Sequence, residues 1–232
     1  MEFSSVRTGF PFGMYAYNAA NFPTELWIGG VPLFASLSFA ALSYFGYSAA
    51  CTMLSPLRKR GWDVQRIDSP AVTGSLSVVV LASIMTTWMD VVIDPITHLG
   101  RYWRLGDLYR YDSPGTHFNV PLSNYGGWLL TIFCIVLANQ ALDRALRRAD
   151  LVPPRGFSLP YRPFWAVFAQ LGTFVYMLAM TLYLMGADRV PADTPLLRIL
   201  VSGVFFTSLY VAFVVTMIRR GFARPAGAHS GH

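Results

Sequence analysis

Five apolar runs of about twenty residues each leave this chain few folds to choose from. They lie at roughly 30–54, 72–93, 122–142, 164–185 and 196–218, separated by stretches of arginine, proline and aromatic residues. A backbone inside hydrocarbon must pair its own N–H and C=O groups, so runs of this length read as membrane-spanning helices. Composition agrees, with only 13% of residues charged against about 25% in soluble domains. The expected fold is all-α: a polytopic integral membrane bundle of five transmembrane helices, with a long loop between spans two and three. One membrane-embedded domain is expected over 1–218. A disordered tail follows at 219–232, and its His229 and His232 are left out of any site.

The net charge of +6 sits between the apolar runs and not on one face, which marks topology and not a nucleic-acid surface. Twelve arginines and lysines fall on one side, in the loops after spans one and three and in the tail. Six fall on the other: Arg7, Arg101, Arg104, Arg110, Arg189 and Arg198. The positive-inside rule then places the C-terminus in the cytoplasm and the N-terminus outside, in the inner (cytoplasmic) membrane of the cell. Cys51 and Cys134 lie inside apolar runs, which argues against a disulfide or a zinc cluster. The N-terminus lacks a basic segment followed by an apolar one, so no cleavable signal is apparent.

Asp90 and Asp94 stand at i and i+4 near the end of span two, with His98 one turn further on. On a helix all three share one face. An ionisable residue at membrane depth is costly and usually marks a site. The alternative is that both aspartates lie at the water interface and Asp94-Pro95 ends the helix. The stretch 94–120 has no continuous apolar run, and its Tyr102, Trp103, Tyr109, Tyr111 and Phe118 favour an ordered interfacial lid. Topology brings the N-terminal segment, this lid and the Asn124 end of span three to the same, outer end of the bundle, where facing helices and a capping loop can build a site.

Four blocks in order carry a resemblance: TGFPFGMYAY at 8–17, VPL at 31–33, Asp90 and Asp94 with Pro95, and VPLSNYGGW at 120–128. Together they resemble the carotenoid biosynthesis membrane proteins of the bisanhydrobacterioruberin and γ-carotene hydratase type, through span three and more weakly beyond. The resemblance implies an integral membrane hydro-lyase, without metal or redox cofactor, that adds water across the terminal double bond of an acyclic carotenoid. Lycopene- or γ-carotene-like molecules are the expected substrates, the lipid bilayer the expected surroundings, and nucleic acid no partner. The family usually carries further hydrophobic sequence before the first block, often with a glutamate just ahead of it. Glu2 takes that position here, so a short variant or a start further upstream are the two expectations.

Hydrating an isolated trisubstituted alkene needs a strong proton donor, because no carbonyl polarises the bond. Protonation at the less substituted carbon gives a tertiary cation, which water then captures. Asp90 and Asp94 supply the residue types, one as general acid and one orienting and deprotonating the water. They are expected to act as a coupled pair, with the deeper Asp90 favoured as acid. An Asn124 amide facing Asp94 could fix a water; the alternative is ordinary N-capping of span three by Ser123 or Asn124, and both roles can hold at once. An electron-rich wall would steady the cation, and Trp88, Trp103, Tyr109, Tyr125 and Trp128 are candidates, although for each of them membership of an interfacial aromatic belt is the stronger reading. Tyr15 and Tyr17 of the first block are expected to bind substrate, together with Trp88, Trp103, Tyr125 and Trp128. Glu2, His98 and His117 are candidate proton relays, with surface loop positions as the alternative for the histidines. Asp107 and Asp112, among Arg104 and Arg110, read as loop salt bridges, and Asp143 as helix-end pairing. Gly126 and Gly127 allow close helix approach or room for a polyene.

Three other readings compete. A membrane di-iron or non-haem iron oxygenase would use Asp90, Asp94, His98 and His117, but such enzymes need more histidines than this chain has outside its tail. A proton-coupled transporter or a non-catalytic carotenoid- or isoprenoid-binding protein would also use intramembrane carboxylates. No inverted repeat supports transport. The last is a family member acting on a different polyene or isoprenoid end group.

Overall fold

The computed structural model describes residues 1–151, 159–187 and 190–224. Before the first span, helix α1 (Glu2–Thr8) ends on Gly9, whose positive φ of 78° turns the chain back and lets its amide reach Ser5 O. Strand β1 (Tyr15–Tyr17) follows, then a two-strand ribbon of β2 (Trp27–Ile28) and β3 (Val31–Pro32). Helix α2 (Leu33–Leu54) is the first of five helices long and apolar enough to cross a membrane.

The loop after α2 is a hairpin of β4 (Leu57–Arg60) and β5 (Asp63–Arg66), where the sequence suggested a plain connection. A short α3 (Pro70–Thr73), capped by Ser69, leads into α4 (Leu76–Thr97). The lid contributes β6 (Tyr109–Tyr111). The remaining spans are α5 (Leu122–Arg148), α6 (Trp165–Met185) and α7 (Leu196–Ala223). The architecture is the expected all-α polytopic bundle.

Helices α2 and α4 start later than expected, at Leu33 and Leu76 against 30 and 72, and three helix ends lie further on. Helix α4 does not end at Asp94-Pro95: Pro95 lies inside it, and the cap is His98, whose amide reaches Asp94 O and Ile96 O. Proline removes the donor that Val91 O would have received, yet the last turn still closes on Asp94 O, which accepts from the His98 amide and, at 2.9 Å, from the Thr97 hydroxyl. The second change is in α5, which runs six residues past 142 and carries an Asp143–Arg147 pair of 2.8 Å on its polar last turn. The third is α7, which continues past 218 to Ala223. His229 and His232 lie outside the described residues.

Helix α4 is the hub, packed on α2, α5, α6 and α7. Between apolar helices in lipid there is little hydrophobic drive, so close van der Waals approach decides association. Gly46 of α2 provides it, since a Cβ there would overlap the Thr86 hydroxyl and crowd the Ala82 carbonyl. One core joins α2, α4, α6 and α7 around Met53, Met85, Met89, Phe174 and Tyr210. A second joins α2, α4 and α5 to the N-terminal segment through Phe12, Tyr15 and Phe39. At the end away from the lid, Gln140 of α5 donates to Thr73 O and Ser75 O, fixing the start of α4.

Candidate functional site

The extra turn of α4 keeps Asp94 inside the bundle. Asp90 is 1% exposed, Asp94 4% and Asn124 3%. The Asn124 amide nitrogen has two hydrogens and uses both, donating to Asp90 Oδ2 at 2.8 Å and to Asp94 Oδ2 at 2.7 Å. Pro121, not Ser123 or Asn124, is the N-cap of α5, and no side chain caps it. The Ser123 hydroxyl donates to Phe12 O at 3.2 Å, which ties the N-terminal segment to the mouth of α5.

The lid completes the site through sequence-distant pairing. Strands β1 and β6 are antiparallel, with Tyr15 opposite Tyr111 and Tyr17 opposite Tyr109. Their four rings meet edge to face at 5.4 to 5.9 Å. From this cluster the Tyr109 hydroxyl donates to Asp94 Oδ1 at 2.8 Å. Burial, with the Asp94 carboxylate beside it, holds the Tyr109 hydroxyl well above its usual pKa, so it stays a donor. Asp94 thus receives donors on both oxygens. Asp90 receives one, and its Oδ1 is buried without a partner among the described residues.

His98 packs between two lid rings, stacked on Tyr111 at 5.1 Å and edge-on to Tyr109 at 5.0 Å. Burial lowers its imidazole to about 4, so it is neutral at pH 7. Glu2 accepts from the Tyr17 hydroxyl at 2.8 Å, and burial raises its pKa. His117 bonds the Tyr125 hydroxyl at 2.6 Å, and burial lowers its pKa. Above the pair, an open cleft of about 760 Å³ is lined by His98, Tyr109, Tyr111, Asn18, Asp107 and Asn119. Asp107 pairs with Arg110 at 2.5 Å, as the local sequence suggested, whereas Asp112 joins none of the ion pairs among the described residues and its backbone amide bonds Met14 O instead.

Three of the candidate wall residues point elsewhere. The Trp88 indole donates to Phe206 O at 3.1 Å and meets Tyr210 of α7. Trp103 donates to Gly106 O at 2.6 Å and holds the lid's own turn. Trp128 packs on Phe39 at 4.3 Å in the seam between α2 and α5. Tyr15 and Tyr17 do stand at the site, in the tyrosine cluster, and Tyr125 at its His117 flank. Gly127 admits the N-terminal loop and not a helix, since a Cβ there would overlap the Phe12 ring. Sequence reasoning missed Tyr109 as a donor, although the alternation Tyr109, Arg110, Tyr111 is a strand signal. Among the described residues no three His, Cys, Asp or Glu side chains converge as metal ligands do.

The buried acid pair, its shared amide and the tyrosine lid all fall within residues 1–188, which a family model for carotenoid biosynthesis proteins matches. The chain belongs to that family. No curated protein and no solved structure matches it. Membership assigns the bundle a role in carotenoid biosynthesis, and a family that works on long polyenes suits five apolar helices. The matched region holds every residue of the site and all of α1 to α6, whereas α7 lies beyond it.

Proposed function

We propose that the protein is a carotenoid hydratase, a cofactor-independent hydro-lyase that adds water across the terminal C=C of an acyclic carotenoid to give a tertiary alcohol. The observation that carries this reading is the pair of buried aspartates bridged by one amide. An alkene without a polarising group must be protonated by a strong, water-shielded acid. Asp94, with donors on both oxygens, suits the ionised form, which only accepts. Asp90, with Oδ1 unpartnered, suits the form that carries a proton to donate.

Ionised Asp94 also bears on the cation. A unit charge about 4 Å away contributes about 4 kcal/mol at an effective dielectric near 20, more than the ~0.5–2 kcal/mol of a cation–π contact. The carboxylate is therefore the main stabiliser, and the tyrosines of the lid chiefly exclude bulk water. Glu2, His98 and His117 flank this centre as secondary proton carriers. A lycopene- or γ-carotene-like substrate would lie lengthwise in the bilayer with one end at the pair. The bundle would sit in the cytoplasmic membrane with its N-terminus outside.

The test is expression in a host that accumulates such a carotenoid. Wild-type protein is expected to add the mass of water. Asp90→Asn and Asp94→Asn are each expected to lose the product while remaining in the membrane. Full activity in both variants contradicts the proposal.

A further inference from the structure

Asp90 Oδ1 has a companion. One turn deeper on α4, Thr87 Oγ1 is also buried and unpartnered among the described residues. Other hydroxyls of this helix are engaged: Ser83 donates to Val79 O at 2.8 Å, Thr86 to Ala82 O at 2.9 Å and Thr97 to Asp94 O at 2.9 Å. Thr87 forgoes the bond back to its own helix that a buried threonine ordinarily makes. Positions 87 and 90 are i and i+3, with Cβ atoms about 5–6 Å apart, and helical side chains lean toward the N-terminus, so the Asp90 carboxyl leans toward Thr87. Two buried, unpartnered polar atoms so placed, beside the Asn124–Asp90 bond, call for a small ligand that both donates and accepts.

We propose that Asp90 Oδ1 and Thr87 Oγ1 form the seat of the water that adds to the alkene, and afterwards of the alcohol it becomes. This rests on the hydration reading. The approach we assign to the polyene does not cross the lid: Val80 and Ile84, 42% and 44% exposed, lie two turns and one turn below Thr87 on the same side of α4. The polyene end can slide up this lipid-facing strip to the seat.

The seat lets one residue serve twice. Asp90 transfers its proton from Oδ1 to the less substituted alkene carbon, the π pair forms the C–H bond, and the charge moves to the tertiary carbon. The water held by Thr87 forms the C–O bond with a lone pair and returns one proton to Asp90 Oδ1. Alkene and water are consumed, and Asp90 ends protonated as it began. Asp94 stays ionised throughout.

Thr87→Val keeps the side-chain shape and removes the hydroxyl, while Thr87→Ser keeps the hydroxyl. Membranes holding each variant at equal level are supplied with an acyclic carotenoid in D₂O. In Thr87→Val, alcohol turnover is expected to fall at least tenfold at unchanged KM. Deuterium is expected in the unreacted alkene, because the cation loses a proton more often than it captures water. Thr87→Ser is expected to restore turnover to within a few-fold. Alcohol at the wild-type rate in Thr87→Val, or Thr87→Ser as slow as Thr87→Val, overturns this inference alone. Wild-type protein that forms no alcohol overturns the hydration reading and this inference with it.

Discussion

Asn124 ties the two buried aspartate side chains together, because its single amide nitrogen donates to both. Replacing it with leucine leaves two buried acceptors short of a donor, each costing about 1–3 kcal/mol. Asn124→Leu is therefore expected to lower the Tm in detergent and to reduce product formation at least tenfold, both measurable on one purified sample. Tyr109→Phe removes the donor to Asp94 and a longer 3.4 Å contact with the Thr97 hydroxyl but keeps the ring packing, so the fold should persist while turnover falls about tenfold. His98 gives a pH signature. Its imidazole titrates near 4 in the fold against 6.5 in the unfolded chain, so the unfolded state binds the proton first as pH falls. The stability it contributes is full above about 6.5 and is lost as pH falls to about 4. His98→Gln should flatten the fall in Tm between those values; an unchanged slope contradicts the assignment. The aspartates were legible in the sequence because i, i+4 spacing in an apolar run is a local signal. Asn124 was legible as a partner only beside its capping alternative, and the structure chose the partner role. The donor role of Tyr109 was not legible, because it depends on a strand register linking residues some ninety positions apart.

At the scale of elements, Pro95 and the N-terminal segment decide whether there is a site at all. A helix ending before Pro95 would leave Asp94 at the surface, and local sequence allowed that ending. What overrides it is the Thr97 and His98 bonding to the Asp94 carbonyl, a last-turn geometry that propensity alone does not reveal. The N-terminal segment is held across the mouth of α5 by Phe12, which rests against Gly127. Gly127→Val would push that ring out, and with it the β1–β6 pairing that carries Tyr109. The expected outcome is an intact bundle whose N-terminal segment becomes sensitive to protease and whose activity is lost. Protection equal to wild type contradicts it.

For the whole molecule, hydropathy made the five spans legible, and their error was confined to their ends: two starts lie later, and α4, α5 and α7 run on past the apolar runs. The packing of α4 at the hub was not legible, since apolar faces in a membrane protein look alike whether they meet lipid or another helix. The lid and the β4–β5 hairpin lie at opposite ends of the bundle, so orientation is testable directly. Ser113→Cys should react with a membrane-impermeant thiol reagent on intact cells, and Lys59→Cys only after permeabilisation; the reverse pattern would invert the topology. The central claim is that water, activated by a buried carboxylate pair, supplies the oxygen of the product. Incubating membranes and an acyclic carotenoid with ¹⁸O-labelled water, then separately with labelled dioxygen, measures this by the mass of the alcohol. The account predicts label from water, with product still forming when oxygen is excluded; label from dioxygen would contradict it.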